Sequence, residues 1–241
     1  MLNEKTAAEQ KHAQAVREMF SGIAPKYDFL NHFLSLNIDK RWRRLVAQKL
    51  ENILENPNAL ILDVACGTGD LAFLLQNSGK AKVIGTDFCR PMLKVAFDKN
   101  KKNNSVIPFL EADGMNLSFA DNTFDAVTIA FGLRNFSNWQ NGLEELFRIL
   151  KKNGKLVVLE FSTPVLPGFR QVFQFYFSHI LPRVGGAVSG SRGAYEYLPD
   201  SVSKFPDQRN LVGMMRENGF SDVEYKNLTG GIAAIHTGTK K

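Results

Sequence analysis

Cysteine is scarce in this chain of 241 residues, with Cys66 and Cys89 the only two. A chain of that length buries roughly 70% or more of its unfolded surface and needs no covalent staple, so both read as reduced thiols. Metal ligands are equally thin. The four histidines, at positions 12, 32, 179 and 236, neither cluster with the cysteines nor fall at zinc-site spacing, and no metal is expected. No apolar run approaches the roughly 18 residues that cross a bilayer. The opening Met1-Leu2-Asn3-Glu4-Lys5 also lacks the basic-then-apolar order of a signal peptide. The expectation is a cytoplasmic protein that does not span a membrane. Repeats, low-complexity segments and an early Pro/Gly/Ser linker are missing too, which points to a single domain.

What is present is a modest basic surplus and much phenylalanine. Thirty Lys+Arg against 24 Asp+Glu leave a net charge of +6, a sign that suits nucleic acid or an anionic membrane surface. The basic residues are dispersed apart from Lys40, Arg41, Arg43, Arg44 and the run Lys99, Lys101, Lys102, each of which reads as a solvated helix face rather than a binding patch. The 19 Phe are an unusual number, which core packing alone can absorb but which also leaves open a large apolar pocket or a surface that meets lipid.

From residue 59 to 161 short β-rich runs alternate with helical stretches. Strands are expected at 59–64, 82–86, 106–110, 124–130 and 155–161, with helices near 70–77, 91–100 and 138–151. Crossovers of that length make a parallel sheet covered on both faces, an α/β doubly wound core. Residues 5–54 read as a helical cap broken near 21–25 and 35–39, and 55–161 as the ligand-binding core. Residues 162–218 read as an insertion over the substrate, with helices near 169–181 and 208–218, and 219–241 as an antiparallel hairpin on the sheet edge.

Chemistry gathers at the strand ends. Leu60-Ile61-Leu62-Asp63-Val64 runs into Ala65-Cys66-Gly67-Thr68-Gly69-Asp70 and then an apolar helix. Gly67 and Gly69 let the backbone turn sharply and approach a ligand. Some twenty residues on, Val83-Ile84-Gly85-Thr86 ends at Asp87, where a carboxylate can accept both ribose hydroxyls of an adenosine, with Phe88 beside it. The third glycine of a dinucleotide fingerprint is absent, which disfavours a nicotinamide dehydrogenase and any pyrophosphate ligand. S-adenosylmethionine fits better, because Asp63 can engage its tail ammonium, while Asp113 and Gly114 can address the adenine edge. Three acids and a glycine turn at successive strand ends form one crevice, and a Rossmann-like methyltransferase is the economical reading.

Longer blocks carry a closer likeness. Tyr27-Asp28-Phe29-Leu30-Asn31-His32-Phe33-Leu34-Ser35 with Trp42, Arg148 to Gly154 continuing to Glu160-Phe161-Ser162, Ala130 to Phe136, Tyr195 to Val202, and Asn227 to Ile232 together resemble the ubiquinone/menaquinone biosynthesis C-methyltransferase family (UbiE/MenG). The resemblance begins near Val16 and runs to the C-terminus. Leu30 and Asp39 stand where that family usually has Met and His, Lys151-Lys152-Asn153-Gly154 replaces Lys-Pro-Gly-Gly, and Ala130 replaces a cofactor-contacting Ser. Thr68, Asp87, Asp113 and Gly114 match its cofactor-binding positions.

The resemblance implies a class I S-adenosylmethionine-dependent methyltransferase with a mostly parallel seven-stranded sheet. It would methylate a ring carbon of a polyprenylated quinol, taking demethylmenaquinol to menaquinol, the ubiquinone precursor being the alternative. The acceptor must be the reduced quinol, since the ring carbon becomes nucleophilic through its neighbouring hydroxyl, and a base must then take the ring proton. Arg134 and Asn135 are the candidates to orient a water or a quinol oxygen, with Tyr27, Tyr195 and Tyr197 as further hydrogen-bonding groups. Arginine stays protonated, so Arg134 would polarise, or else would anchor its loop through an acid. The apolar spacing of Phe169, Val172, Phe173, Tyr176, Phe177, Ile180 and Leu181 is that of a core-packed helix, and because a polyprenyl tail needs an apolar route this helix and the N-terminal helices are the expected quinol entrance. A transient membrane-surface contact and a homodimer are the expected associations, with the protein peripheral to the inner membrane face. Nucleic acid is not expected, as neither a basic stripe nor an RNA-binding module is present. A small tail-free acceptor is disfavoured by the family-specific terminal blocks.

Overall fold

The computed structural model describes residues 6–165 and 192–241, with residues 168, 171, 173, 175 and 176 between them. Seven strands form one sheet in the order β3-β2-β1-β4-β5-β7-β6. The parallel part comprises β1 (Leu60–Val64), β2 (Lys82–Asp87), β3 (Phe109–Glu111), β4 (Phe124–Ala130) and β5 (Leu150–Phe161). β7 (Ala233–Lys240) is antiparallel to both β5 and the edge strand β6 (Phe220–Leu228), which is the C-terminal hairpin expected from the sequence.

Alternate residues of the central strands feed two cores. Ile61, Val157 and Leu159 face one side, packed with Trp42, Val46 and Leu50 at α3 (Ile38–Lys49), Leu71 and Leu75 of α5 (Asp70–Asn77) and Leu93 of α6 (Arg90–Lys102). Leu62, Val64, Leu156 and Val158 face the other, against Leu143, Leu146 and Ile149 of α7 (Trp139–Ile149) and Leu211 and Met215 of α9 (Gln208–Glu217). A parallel sheet so covered requires strands apolar on both faces, as these are. α9, grouped by the sequence with the substrate insertion, is thus part of the layer covering the sheet.

The N-terminal cap consists of α1 (Ala7–Ile23), α2 (Tyr27–Leu34), α3 and the short α4 (Glu51–Leu54). Thr6 caps α1 in a reciprocal capping box with Glu9. Pro25 falls in the tight turn between α1 and α2, where its fixed φ is at home. Leu36 and Asn37 take positive φ between α2 and α3. α8 (Arg192–Lys204) precedes α9; the side chains of residues 192–196 lie outside the described residues, as does most of the helix expected over 169–181.

Two strands of the parallel part begin more than one residue from where the sequence places them. β3 begins at Phe109 rather than 106, because Pro108 has no N–H to give a ladder and the Ile107 amide is taken by the Asn100 side chain. β5 begins at Leu150, directly after α7, and its segment Lys151–Gly154 turns back through Asn153 at a φ of 66° before pairing with β4 resumes at Lys155.

Candidate active site

Strand order reverses between β1 and β4, and the crevice outside the carboxyl ends of strands at such a point is where open α/β sheets bind ligands. A cavity lies there. The end of β1 supplies Asp63, Cys66, Gly67 and Thr68, that of β2 Asp87 and Phe88, that of β3 Asp113 and Gly114, and that of β4 Ala130, Phe131 and Asn135. Ala13, Phe20, Tyr27 and Arg43 of the helical cap close it from above.

Thr128 donates to Asp63 Oδ1 at 2.8 Å, while Oδ2 is buried with no hydrogen-bond partner among the described residues. Burial lifts this carboxyl to about 7, against the hydrogen bond from Thr128 and the charge of Arg43. Asp87 accepts the Cys89 amide on Oδ1 and the Gly67 amide on Oδ2, both at 2.8 Å. One acceptor position remains on each oxygen. Burial raises Asp87 to about 6, opposed by those two amides. Two buried acids without a cation of their own are costly, and a ligand offering an ammonium to one and hydroxyls to the other relieves both.

The turn after β1 is left-handed at Ala65, Gly67 and Gly69, with φ of 51°, 57° and 85°. A Cβ on Gly69 would stand 2.9 Å from the Phe109 ring. Gly69 is not on the cavity wall; it starts α5 and lets Phe109 pack. Gly114 gives way to Phe136, which a Cβ there would meet at 2.3 Å, and Phe136 lies equally close on Gly142. Phe131, like Ala65, is a non-glycine residue at positive φ on the cavity wall, a strained conformation of the kind that gathers at functional sites.

Arg134 requires a correction. Rather than facing the cavity with Asn135, its guanidinium is buried behind the wall, 2.8 Å from Glu160 on β5 and 2.5 Å from the Phe131 carbonyl. Its backbone N–H also donates to Glu160. The acid-anchored alternative is what the structure adopts, with Arg134 tying the β4 loop to β5. Asn135 does reach the cavity, where it accepts from the Tyr197 hydroxyl at 3.2 Å. Tyr27 also lines it; burial raises its hydroxyl pKa, so it stays a donor at neutral pH. The Tyr195 side chain lies outside the described residues.

Sequence reasoning missed Arg43, Phe20, Ala13, Phe131 and Phe136, all on the wall. Arg43 had a signal, as a cation on the buried face of a helix otherwise bearing Trp42 and Val46. Asp39, at the family's histidine position, is not on the wall. It binds Arg43 and accepts from Ser35 at 2.7 Å, with His32 Nδ1 2.8 Å away, and these partners outweigh its desolvation and hold its pKa low.

The profile of the ubiE/COQ5 methyltransferase family matches residues 5–240. The chain belongs to this family. It is similar to a protein of Thermus thermophilus named demethylmenaquinone methyltransferase, at 49% identity over 92% of this chain and 100% of that one. It is also similar to the ubiquinone/menaquinone biosynthesis C-methyltransferase UbiE of Citrifermentans bemidjiense, at 44% identity over 97% of this chain and 99% of that one. Among solved structures, a SAM-dependent methyltransferase from Aquifex aeolicus shares the fold at a TM-score of 0.58 and 18% identity, over 80% of this chain and 88% of that one. The ubiE/COQ5 member described here is an S-adenosylmethionine-dependent methyltransferase. Its strand-end residues fit that cofactor. The orphaned Asp63 oxygen suits an ammonium, the spare acceptors of Asp87 suit a ribose diol, and Arg43 suits a carboxylate.

Proposed function

We propose that the protein transfers a methyl group from S-adenosylmethionine to a ring carbon of demethylmenaquinol. The observation that carries the reading is a cavity with two unneutralised acids at adjacent strand ends, walled opposite by Tyr27 and Asn135, in a chain 49% identical to a demethylmenaquinone methyltransferase. When bound, S-adenosylmethionine supplies a methyl on a cationic sulfur that an electron-rich carbon can displace.

The chain's own residues fix the partners and keep water out. Asp63 and Arg43 hold the amino-acid tail, Asp87 the ribose, and Asp113 with the Gly114 backbone the adenine edge beside Phe88. Gly67 and Thr68 bring backbone close to the tail. Tyr27 donates to a quinol oxygen, and Asn135, oriented by Tyr197, donates to the same ring from the other wall. Holding a ring carbon about 3–3.5 Å from the methyl in line with the breaking bond is the largest single contribution available to the site. Ala130 offers no side-chain hydrogen bond, so cofactor contact at that position is apolar.

A dual activity on the ubiquinone precursor is favoured by the naming of the 44%-identical relative. The protein meets its lipid substrate at the inner membrane face. The deciding assay uses purified protein, S-adenosylmethionine with an isotopically labelled methyl, and chemically reduced demethylmenaquinol in detergent, beside the reduced ubiquinone precursor and an oxidised control. Label in menaquinol, and none from the oxidised quinone, is the expected outcome; label in both quinols makes the enzyme dual. Cofactor binding without transfer to either quinol overturns the substrate.

A further inference from the structure

α2 has its polar residues on the wrong side for a helix at a water-facing surface. Asp28 accepts from Thr68 at 2.5 Å and pairs with Lys99 at 2.5 Å. His32 is held between Asp39 at 2.8 Å and Asp70 at 3.5 Å, and Asn31 hydrogen-bonds Tyr27. All three polar side chains of the helix are thus committed inward. Leu30 is buried, with Tyr27 and Leu34 packed in the same cluster. What remains for the outside is Phe29 and Phe33, 61% and 51% exposed, their rings stacked at 5.8 Å, followed by Leu36 at 79% in the left-handed turn after the helix. A row of three large apolar side chains, left outward while polar groups point in, gains nothing from water.

The charge beside this row has one sign. From Pro25 to Leu50 the acids are Asp28 and Asp39, both tied inward as described. Lys40, Arg41 and Arg44 begin four positions after Leu36, are exposed on α3, and have no ion-pair partner among the described residues. Trp42, Val46 and Ala47 anchor the opposite face of α3 in the core, so these cations are presented on a fixed helix.

We propose that the outer face of α2 and the first turns of α3 form the docking surface for an anionic lipid bilayer. Phe29, Phe33 and Leu36 enter the acyl boundary, and Lys40, Arg41 and Arg44 meet acidic headgroups. The inference rests on the quinol reading for its purpose and goes beyond it in naming the surface and the lipid charge. A helix with aromatic groups inserted and cations at its flank is how peripheral proteins sit in an interface, and exposed cations without acids between them match anionic rather than zwitterionic lipid. Tyr27, on the inner side of the same helix, lines the catalytic cavity, so a molecule leaving the bilayer at α2 has a short path to the site.

The test is flotation of the full chain with quinol-free vesicles of phosphatidylcholine, with and without about one-third phosphatidylglycerol. Wild type should float with the anionic vesicles and release as salt rises. The Phe29→Ser/Phe33→Ser variant should bind at least tenfold more weakly, and Lys40→Gln/Arg41→Gln/Arg44→Gln should lose the preference for phosphatidylglycerol, at about fivefold per cation. Both variants alter exposed side chains, and unchanged thermal midpoints and S-adenosylhomocysteine affinity establish that they fold. Vesicle binding equal in all three proteins overturns the proposal. So does a dimer in sedimentation equilibrium that Phe29→Ser/Phe33→Ser dissociates without wild type ever floating, since the face would then belong to a second copy of the chain. Quinol-free vesicles keep the outcomes separable: floating without quinol methylation refutes the substrate and leaves the docking surface standing.

Discussion

Asp63 and Asp87 are raised by burial to about 7 and about 6, the charges of Arg43 and Arg17 offsetting only part of the desolvation. The sign of their effect differs between the empty and the loaded protein. In the empty protein the folded state holds their protons more tightly than the unfolded chain, with an ordinary value of 3.8. Their contribution therefore favours folding at low pH and is lost as pH rises from about 4 to about 7. In the proposed binding mode the cofactor requires the ionised carboxylates, so its affinity runs the other way. The expected result for S-adenosylhomocysteine, measured by calorimetry, is a Kd that is flat above pH 7.5 and rises at least tenfold by about pH 5.5. Asp63→Asn should weaken binding about tenfold or more at pH 8 and flatten the upper part of that profile. An unaltered profile in Asp63→Asn would assign the titration to another group.

At the scale of elements, the β4 loop depends on the Arg134–Glu160 pair. Glu160 faces β7 through its backbone pairing with Ala234, and its side chain accepts from Arg134 and from the Phe161 amide. Arg134→Met leaves that carboxylate buried without its cation and should cost about 3 kcal/mol in denaturant unfolding. Arg134→Met/Glu160→Gln should recover part of the loss, because the uncompensated charge is gone. A role in positioning alone predicts that the double variant keeps cofactor affinity while kcat falls, as Asn135 loses its support. A fall in kcat/KM that tracks only the stability loss would reduce Arg134 to a scaffold.

Whether such pairs can be read from sequence depends on their separation. Asp63, Gly67 and Asp87 were legible because each ends a strand whose direction the alternation of β and α already set, and a strand end at a switch point has few other duties. Arg134 has a partner 26 positions away on a neighbouring strand, and the β-rich run around Glu160 gave no sign that its one acid faced inward. Arg43, Phe20 and Phe131 were hidden for a related reason. A cation on a helix and phenylalanines in apolar runs are what any packed domain contains, and only the docking of the cap on the sheet turns them toward a ligand. The start of β3 was misplaced by a local cause, the missing N–H of Pro108.

For the molecule as a whole, the cavity is shared between the cap and the sheet, whose apolar contacts are supplemented by a polar latch. Thr68 and Asp70 of the β1 turn, Asp28 and His32 of α2, and Lys99 of α6 are joined within one network, with Lys99 at 2.5 Å from Asp28 and 2.7 Å from Asp70. These groups are partly exposed, and ion pairs of that kind contribute little apiece. The cap is therefore held over the sheet mainly by apolar contacts, the broad seat of α3 and the smaller one that Phe20, Ala24 and Tyr27 make with Cys89 and Met92, and α1 and α2 have the smaller share of it. In the proposed binding mode the cofactor bridges both sides, Asp63, Asp87 and Asp113 below and Tyr27 and Arg43 above, so its binding energy is also closing energy for the cap. Hydrogen exchange with and without S-adenosylhomocysteine should show amides of α1 and α2 slowed about tenfold or more, those of β6 and β7 unchanged, and intermediate protection in α3. Lys99→Met should speed exchange in α2 without ligand and leave the liganded rates near wild type, because the cofactor then supplies the link the latch has lost. Uniform protection across the sheet and the cap alike would mean that cap and core open as one unit, and that entry to the cavity requires global rather than local unfolding.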